Sequence, residues 1–313
     1  MIRLACLIAV SIALTVDSYA EAPWIIDPHT HFKGEQQIAY ERQLQQRDPR
    51  DTLGQVVVAE DYRELADRLK IQSTMVVEAT DQSQPQFNDW VLKQAASDLI
   101  CGYVARADLH LAEFKQQHAR YLASGFLKGY RFRFDELHGY LDDPRAREHL
   151  TILQSERMVV DLLVEPQHAA DVVRLATEFP KLTIVINHCF RARLKDGKTT
   201  AAWRKAVADC GKHANVYCKL SSILNFAETK PFDERAPSDL ETYREILDTC
   251  WQAFGKDRVI FATNWGVCGH FGPVEDVVRI VSEFLKEKGE TALRSGMREN
   301  ALRVYQVKEN HLR

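Results

Sequence analysis

The sequence alternates short apolar segments with amphipathic helical segments eight times, beginning at Pro23. The apolar segments have the length of β-strands, and the segments between them repeat their apolar positions with the period of a helix. The predicted strands are Trp24–His29, Ile71–Glu78, Leu99–Val104, Phe126–Phe134, Met158–Val164, Leu182–Asn187, Val216–Leu220 and Val259–Thr263. Eight strand–helix units in one chain favour an α/β fold of the closed (β/α)₈ TIM-barrel type over an open doubly wound sheet.

The first 20 residues differ from the rest and indicate a signal peptide. A short basic start at Met1–Arg3 is followed by an apolar run from Leu4 to about Val16, and Ser18–Ala20 supplies the small residues of a cleavage site. A buried N-terminal helix is the alternative. We therefore expect an exported protein, periplasmic or secreted, without a membrane anchor after cleavage. No repeat or Pro/Gly-rich linker divides residues 21–313, which are predicted to form one barrel domain.

Composition excludes several classes of partner and cofactor. The formal net charge of −3 gives no reason to expect nucleic acid or an anionic membrane as a partner. Neither a G-x-G-x-x-G nor a G-x-x-x-x-G-K-[ST] loop occurs, which argues against dinucleotide and P-loop chemistry. Six scattered cysteines remain after the signal peptide, and we expect most of them to be buried thiols.

Two local features extend the fold prediction. The clearest helix follows the seventh strand, where Ser238 and Glu241 are predicted to form a capping box and Gly255 to end the helix. The longest interruption, Lys33–Ala59, follows the first strand directly. At the catalytic end of a barrel such a segment often acts as a lid, and an ordered surface excursion is the equal alternative.

Two histidines end the first strand in the segment Asp27–Phe32. His29 and His31 are two residues apart, so both side chains project to the same side of the chain. Two imidazoles at the C-terminal end of a barrel strand can bind a divalent metal or polarise a carbonyl group. His188 ends the sixth strand and can join them, the alternative being a packing role in the core.

Strand parity places two arginines inside the barrel. Tyr130, Phe132 and Phe134 alternate with Arg131 and Arg133 along the fourth strand, so the arginines occupy the inward face. An unpaired buried arginine is costly, and two explanations are therefore open. Either the arginines hold an anionic substrate, or they form internal ion pairs with Asp161 or Glu165 of the fifth strand.

Several runs, in this order, resemble the amidohydrolase superfamily. Asp27–Phe32 resembles its opening strand motif, and the later runs resemble the amidohydrolase-related, type 2 branch that contains sugar-acid lactonases and 2-pyrone-4,6-dicarboxylate lactonase. The later runs are Leu127–Phe132, Phe179–His188, Val216–Ser221, Phe261–Cys268 and Asn300–Tyr305. The resemblance extends from Trp24 to Tyr305 and implies a TIM barrel of the metal-dependent-hydrolase type.

The resemblance also implies roles for individual residues. His188 matches a histidine that polarises the substrate carbonyl or binds metal, and Arg131 matches an arginine that holds a substrate carboxylate. Arg133 and Ser221 are predicted to bind substrate with it. The chain departs from the family at Asn264, where an aspartate usually binds metal or activates water. We expect either no metal or one divalent metal, preferably zinc, on His29, His31 and His188.

Without that aspartate another group must accept the proton of water. Glu78, Glu165, Asp27 and His270 are the candidates, and the sequence does not rank them. Cys268 is a weak candidate nucleophile, because no histidine pairing pattern supports it.

Three functions follow from these patterns. The preferred one is a hydrolase that acts on a lactone or ester of a small sugar acid or carboxylic acid, with a small anionic molecule as its partner. The second is a metal-dependent decarboxylase or amide hydrolase of the same superfamily. The third is a binding protein that has lost catalysis because Asn264 replaces the aspartate. A homo-oligomer is compatible with each.

Overall fold

The computed structural model describes residues 24–79 and 84–313. The predicted signal peptide over residues 1–20 lies outside the described residues. In the part of the chain that is described, none of the helices combines the length and the apolar character needed to cross a bilayer.

Eight parallel strands form one sheet whose spatial order is the order of the chain. This arrangement confirms the predicted (β/α)₈ barrel. The strands are β1 Ile25–Thr30, β2 Ile71–Val77, β3 Ile100–Ala105, β4 Leu127–Arg133, β5 Val159–Leu163, β6 Thr183–Ile186, β7 Val216–Leu220 and β8 Val259–Phe261. The chain closes the barrel just beyond β8, where the Asn264 amide donates to the carbonyl oxygen of His29 at 3.0 Å and Trp265 forms a parallel bridge with Thr30.

Helical segments follow each strand and cover the outside of the barrel. They are α1 Glu35–Leu44, α2 Ala59–Arg68, α3 Pro85–Gln94, α4 Phe114–Leu122, α5 Glu136–Asp142, α6 Pro144–Ser155, α7 Ala169–Glu178, α8 His188–Arg191, α9 Ala201–Gly211, α10 Leu240–Phe254, α11 Val274–Glu287, α12 Glu290–Arg294 and α13 Asn300–Val304. Short turns at Thr52–Gly54, Pro166–His168, Ile223–Phe226, Cys268–His270, Ser295–Glu299 and Glu309–His311 complete the order.

Side chains fill the barrel interior and close one of its ends, so the other end is open to substrate. Ile26, Val185 and Ile260 fill the interior together with Ala301 and Tyr305 from the C-terminal segment. This segment closes the end at which the strands begin. The loops after the strands therefore surround the open end, where the active sites of such barrels lie.

The helix after the seventh strand begins with a different cap from the predicted one. The structure places Asp239 at the N-cap, where its carboxylate accepts from the Thr242 amide at 2.9 Å. The predicted capping box of Ser238 and Glu241 is therefore wrong, because Asp239 satisfies the free amide and Glu241 pairs with Arg244. The predicted end is confirmed, since Gly255 has a φ of 67°, a left-handed value that favours glycine.

The excursion over residues 33–59 is an ordered structure that contains α1 and the Thr52–Gly54 turn. Lys33 and Val57 exchange two backbone hydrogen bonds of 2.9 Å at its base, and the Lys33 ammonium donates to Glu41 at 2.6 Å. These contacts support the interpretation as an ordered excursion. Its motion as a lid stays a prediction.

Candidate active site

The three predicted histidines lie together at the open end of the barrel. The ring centroids of His29 and His31 are 5.0 Å apart, and those of His29 and His188 are 4.6 Å apart. All three side chains are buried. Because burial disfavours the charged imidazolium, it lowers the pKa of His31 to about 3 and the pKa of His29 and His188 well below the usual value. The rings are therefore neutral at neutral pH.

Asn264 occupies the acceptor nitrogen of His31. His31 Nδ1 lies 2.9 Å from the carbonyl oxygen of Val77, so it carries the proton and donates, which leaves Nε2 as an acceptor. The Asn264 amide oxygen lies 3.1 Å from Nε2, and the amide nitrogen lies 2.9 Å from the Ser222 hydroxyl. Two acceptors do not form a hydrogen bond, so the chemistry assigns the opposite amide orientation. The amide nitrogen then donates to His31, and the Ser222 hydroxyl donates to the amide oxygen.

His29 lies between two cationic side chains. The Lys219 ammonium is 3.3 Å from Nδ1, and a guanidinium nitrogen of Arg131 is 3.4 Å from Nε2. A second proton on this ring would add positive charge next to a cation at either nitrogen, which adds to the effect of burial in lowering the pKa of His29. The neutral ring accepts a hydrogen bond at one nitrogen and carries its single N–H on the other.

His188 stands at the start of an unusual left-handed turn. All four residues of α8, from His188 to Arg191, have positive φ, with values between 47° and 59°. Each such non-glycine residue costs about 1–2 kcal/mol, so the surrounding packing must hold the turn. The Trp203 indole donates to the carbonyl oxygen of Cys189 at 2.8 Å, and Phe190 is buried. The predicted substrate-binding residue Ser221 instead contacts His188, with its hydroxyl 2.8 Å from Nδ1.

The inward arginines have a partner that strand parity did not identify. Arg131 Nε and Arg133 Nε lie 2.7 and 3.0 Å from the same carboxylate oxygen of Glu78. The inward orientation is confirmed for Arg131, which is buried. The predicted ion pairs with Asp161 or Glu165 are wrong, because Glu78 at the end of β2 is nearer and faces both guanidinium groups.

Lys219 is the site residue that sequence reasoning missed. Its ammonium donates to Asp161 at 2.6 Å and to the carbonyl oxygen of Pro28 at 2.9 Å, and the side chain is completely buried. The Tyr305 hydroxyl donates to the other Asp161 oxygen at 2.6 Å. Asp161 therefore belongs to a buried ion pair beneath His29. The sequence feature that could have revealed it is a lysine at an inward-facing position of a strand whose other residues are mostly apolar.

A cavity of about 370 Å³ opens above these residues. Among its described lining residues are five arginines and no aspartate or glutamate; the arginines are Arg47, Arg131, Arg133, Arg191 and Arg193. His31, His188 and Asn264 line the same cavity, as does His270. Five guanidinium groups around one small cavity create a site that attracts an anion.

Three of the candidate bases lie outside this cavity. Burial would raise the pKa of Glu78, but the charges of Arg133, Arg131 and Arg106 outweigh it and hold that pKa at about 2. Asp27 is completely buried and joins β1 to the segment that follows β8, accepting from Tyr62 at 2.7 Å and from the Thr263 hydroxyl at 2.5 Å.

Glu165 and Cys268 are no better placed. Glu165 is half-buried and lies 3.4 Å from Arg191, and it does not line the cavity. Cys268 is a buried thiol whose pKa is raised by burial, which suppresses the nucleophilic thiolate. The other described cysteines are also free and buried, as predicted.

Asn187 is a further polar group at the end of β6. It is completely buried, and neither its amide nitrogen nor its amide oxygen has a hydrogen-bond partner among the described residues. A buried amide without partners is costly, and such groups are usually satisfied by water or ligand. Asn187 directly precedes His188, so this unsatisfied amide adjoins the candidate site.

The donor atoms of the histidines do not fit a bound divalent metal. Asn264 occupies Nε2 of His31, while cationic groups face both nitrogens of His29. Among the described residues, three donors within 4.8 Å of one another are found in Cys189, Cys218 and Cys250, and the histidines do not form such a group. The described cavity lining also contains no carboxylate that could serve as a ligand in their place.

Known proteins resemble this chain over most of its length. The L-fucono-1,5-lactonase of Burkholderia ambifaria is 27% identical over 261 residues, which cover 79% of this chain and 83% of that protein. An amidohydrolase from Burkholderia multivorans, crystallised with bound zinc, has a TM-score of 0.79 and 20% identity, covering 91% of this chain and 100% of that one. A probable 2-pyrone-4,6-dicarboxylic acid hydrolase from Acinetobacter baumannii, with citric acid bound, has a TM-score of 0.69 and 17% identity over 90% of this chain and 99% of that one.

The family model described as amidohydrolase matches residues 26–307. The matched range begins in β1 and ends after α13, so it includes every strand and the closing C-terminal segment. With its eight-stranded barrel and histidine cluster, the chain belongs to the amidohydrolase family of hydrolase enzymes.

Proposed function

We propose that this protein hydrolyses a lactone that carries at least one carboxylate group. The observation that carries the proposal is the cavity of about 370 Å³ lined by five arginines, by the neutral His31 and His188, and by no described acidic side chain. Its volume suits a small organic molecule. Its charge selects an anion, and its neutral imidazoles offer hydrogen bonds to a carbonyl group.

Arg131 and Arg133 supply the anion site in this proposal. Both guanidinium groups contact the carboxylate of Glu78. A substrate carboxylate would accept the paired hydrogen bonds that guanidinium groups favour. Glu78 would hold both side chains in position.

His188 supplies the group that polarises the carbonyl. When the Ser221 hydroxyl donates to Nδ1, the proton of the neutral ring lies on Nε2. This N–H can donate to the carbonyl oxygen as negative charge develops there. The lowered pKa of His188 keeps the ring neutral, so it acts as a hydrogen-bond donor and not as a charged acid.

The names of two relatives support the reaction class. One is an L-fucono-1,5-lactonase, and a structural neighbour is a probable 2-pyrone-4,6-dicarboxylic acid hydrolase. Both names describe hydrolysis of a lactone, and the second substrate carries carboxylates. The five arginines favour a carboxylated lactone for this chain.

The proposed reaction needs no metal ion at the histidines. The expectation of no metal or a single divalent ion accords with the zinc of the Burkholderia multivorans structure. In this chain Asn264, Arg131 and Lys219 occupy the positions around the imidazole nitrogens, so we assign polarisation of the carbonyl to hydrogen bonds. A decarboxylase or amide hydrolase that requires metal is the less supported alternative.

A binding protein without catalysis is the second candidate, and Asn264 favours it. One experiment distinguishes the two functions. Purified protein is incubated with a panel of carboxylated and neutral lactones, with and without zinc or manganese, and acid release is followed with a pH indicator. We expect hydrolysis of a carboxylated lactone that His188→Ala abolishes. Binding of the lactones without hydrolysis under every condition would favour the binding protein.

Export remains part of the proposal. The basic start, apolar run and small-residue site of residues 1–20 support a periplasmic or secreted location. N-terminal sequencing of the protein from cell fractions tests it, with cleavage after Ala20 as the expected result.

A further inference from the structure

Asp51 and His270 meet at the wall of the cavity. Asp51 caps the Thr52–Gly54 turn of the excursion, accepting from the Leu53 amide at 2.8 Å. His270 ends the Cys268–His270 turn that follows β8, and it lines the cavity with His31 and His188. His270 Nε2 lies 2.8 Å from Asp51 Oδ1. Two segments that are distant in sequence thus place a histidine–carboxylate pair beside the proposed substrate.

The carboxylate determines which nitrogen of His270 is free. Burial would raise the pKa of Asp51, but contacts with His270, Arg47 and the Leu53 amide outweigh it and hold the pKa at about 2. Nε2 contacts the ionised Asp51 at ion-pair distance, although it has no hydrogen-bond partner of suitable geometry, and we assign the ring N–H to Nε2. Nδ1 then carries a lone pair, and it has no hydrogen-bond partner within residues 24–79 and 84–313.

The neighbours of His270 hold its ring in position and leave Nδ1 without a partner. Its ring centroid lies 4.3 Å from that of Phe232, and Arg50 lies over Phe232 at 5.1 Å. Arg47 is the other charged group at this pair, and it is bound to Asp51 at 2.9 Å. The guanidinium groups are therefore engaged with carboxylates or the aromatic ring, and the described neighbours leave Nδ1 available to the cavity.

Resting on the lactone hydrolysis proposed above, we propose that His270 is the general base and that Asp51 is its positioning residue. Of the four candidates from sequence, His270 is the one that lines the cavity. It lies six residues after Asn264 in the segment that follows β8. The pair takes over the proton-accepting function for which an amide is unsuited.

The proposed step balances without a further reactant. A water oxygen attacks the lactone carbonyl carbon while one water proton moves to His270 Nδ1. The carbonyl re-forms as the ring C–O bond breaks, and the ring oxygen leaves with the proton returned from His270. The product is an open-chain hydroxy acid, which releases one proton as its new carboxyl group ionises.

The test compares wild type with His270→Gln and Asp51→Asn on the lactone that wild type hydrolyses. We expect His270→Gln to lower kcat about 10²- to 10⁴-fold, the usual range for loss of a general base, with little change in KM. Wild-type activity should fall at acidic pH, and the residual activity of His270→Gln should not show this fall. Asp51→Asn should lower kcat less. Added imidazole should restore part of the turnover of His270→Ala, which a structural role would not explain.

An exposed pair of the same chemistry supplies the control. His138 lies 3.1 Å from Asp171 on the protein surface and does not line the cavity. His138→Gln should leave kcat and its pH profile unchanged. If the His270→Gln variant keeps the wild-type kcat and pH profile, the assignment of His270 as the base is overturned and the proposed function still stands. A wild type that hydrolyses no lactone overturns the proposed function and this assignment with it.

Discussion

Individual residues at this site explain how a family member can differ from its relatives. Asn264 has a φ of 61°, so it holds a left-handed conformation that asparagine adopts more readily than most residues. Its backbone amide joins β8 to His29, and its side chain contacts His31. One residue thus closes the barrel and occupies an imidazole nitrogen that a metal would use.

Substitution of this residue predicts a gain of metal binding. In Asn264→Asp the side chain offers a carboxylate and no longer donates to His31 Nε2. We expect zinc to bind at least tenfold more tightly than to wild type, which calorimetric titration of metal-free protein measures. Asn225→Asp, at another cavity-lining asparagine, is the matched control. Equal zinc affinity in Asn264→Asp and wild type would contradict this account of His31.

The arginine pair predicts substrate selectivity at the same scale. Arg131→Met removes one guanidinium group and leaves Arg133 paired with Glu78. Loss of a charge-assisted hydrogen bond of about 1.5–3 kcal/mol should weaken binding of a carboxylated inhibitor roughly 10- to 100-fold. Inhibition constants measure this effect. A neutral lactone should be affected much less, and equal losses for both compounds would count against a carboxylate site.

At the scale of secondary structure, the left-handed turn of α8 depends on its packing. Trp203→Phe keeps the aromatic ring but removes the hydrogen bond to the Cys189 carbonyl oxygen. We expect the free energy of unfolding to fall by about 1–3 kcal/mol, the cost of an unsatisfied buried carbonyl. Turnover should fall as well, because the turn positions His188. Chemical denaturation and kcat are the measurements, and unchanged values for both would show that the turn does not need this bond.

The elements were predictable where a pattern repeats along the chain. Strand periodicity predicted all eight strands, and parity predicted the inward direction of Arg131. Parity alone could not identify Glu78 as its partner, because that contact depends on the register between separate strands. Periodicity also could not predict the left-handed turn, because His188–Arg191 contains no glycine, the residue that usually indicates positive φ.

For the whole molecule, the buried charges predict how stability varies with pH. The pKa of Glu78 is about 2 in the folded protein, against an ordinary value near 4.5. A lowered pKa contributes stability that is present above pH 4.5 and is lost as the pH falls towards 2. The unfolding free energy of wild type should therefore exceed that of Glu78→Gln at pH 7. Denaturation at pH 7 and pH 3 should show this difference shrinking, and a constant difference would contradict the ionised state of Glu78.

The molecule as a whole combines the (β/α)₈ barrel of its family with a cavity lined by five arginines. The closed strand order and the C-terminal segment that packs inside the barrel hold the site, and we propose that the arginines select the ligand. The most direct test compares one lactone ring with and without a carboxylate substituent, using kcat/KM of the purified wild-type protein. We predict that the carboxylated lactone is hydrolysed at least tenfold more efficiently. Equal or greater efficiency for the neutral lactone would contradict it.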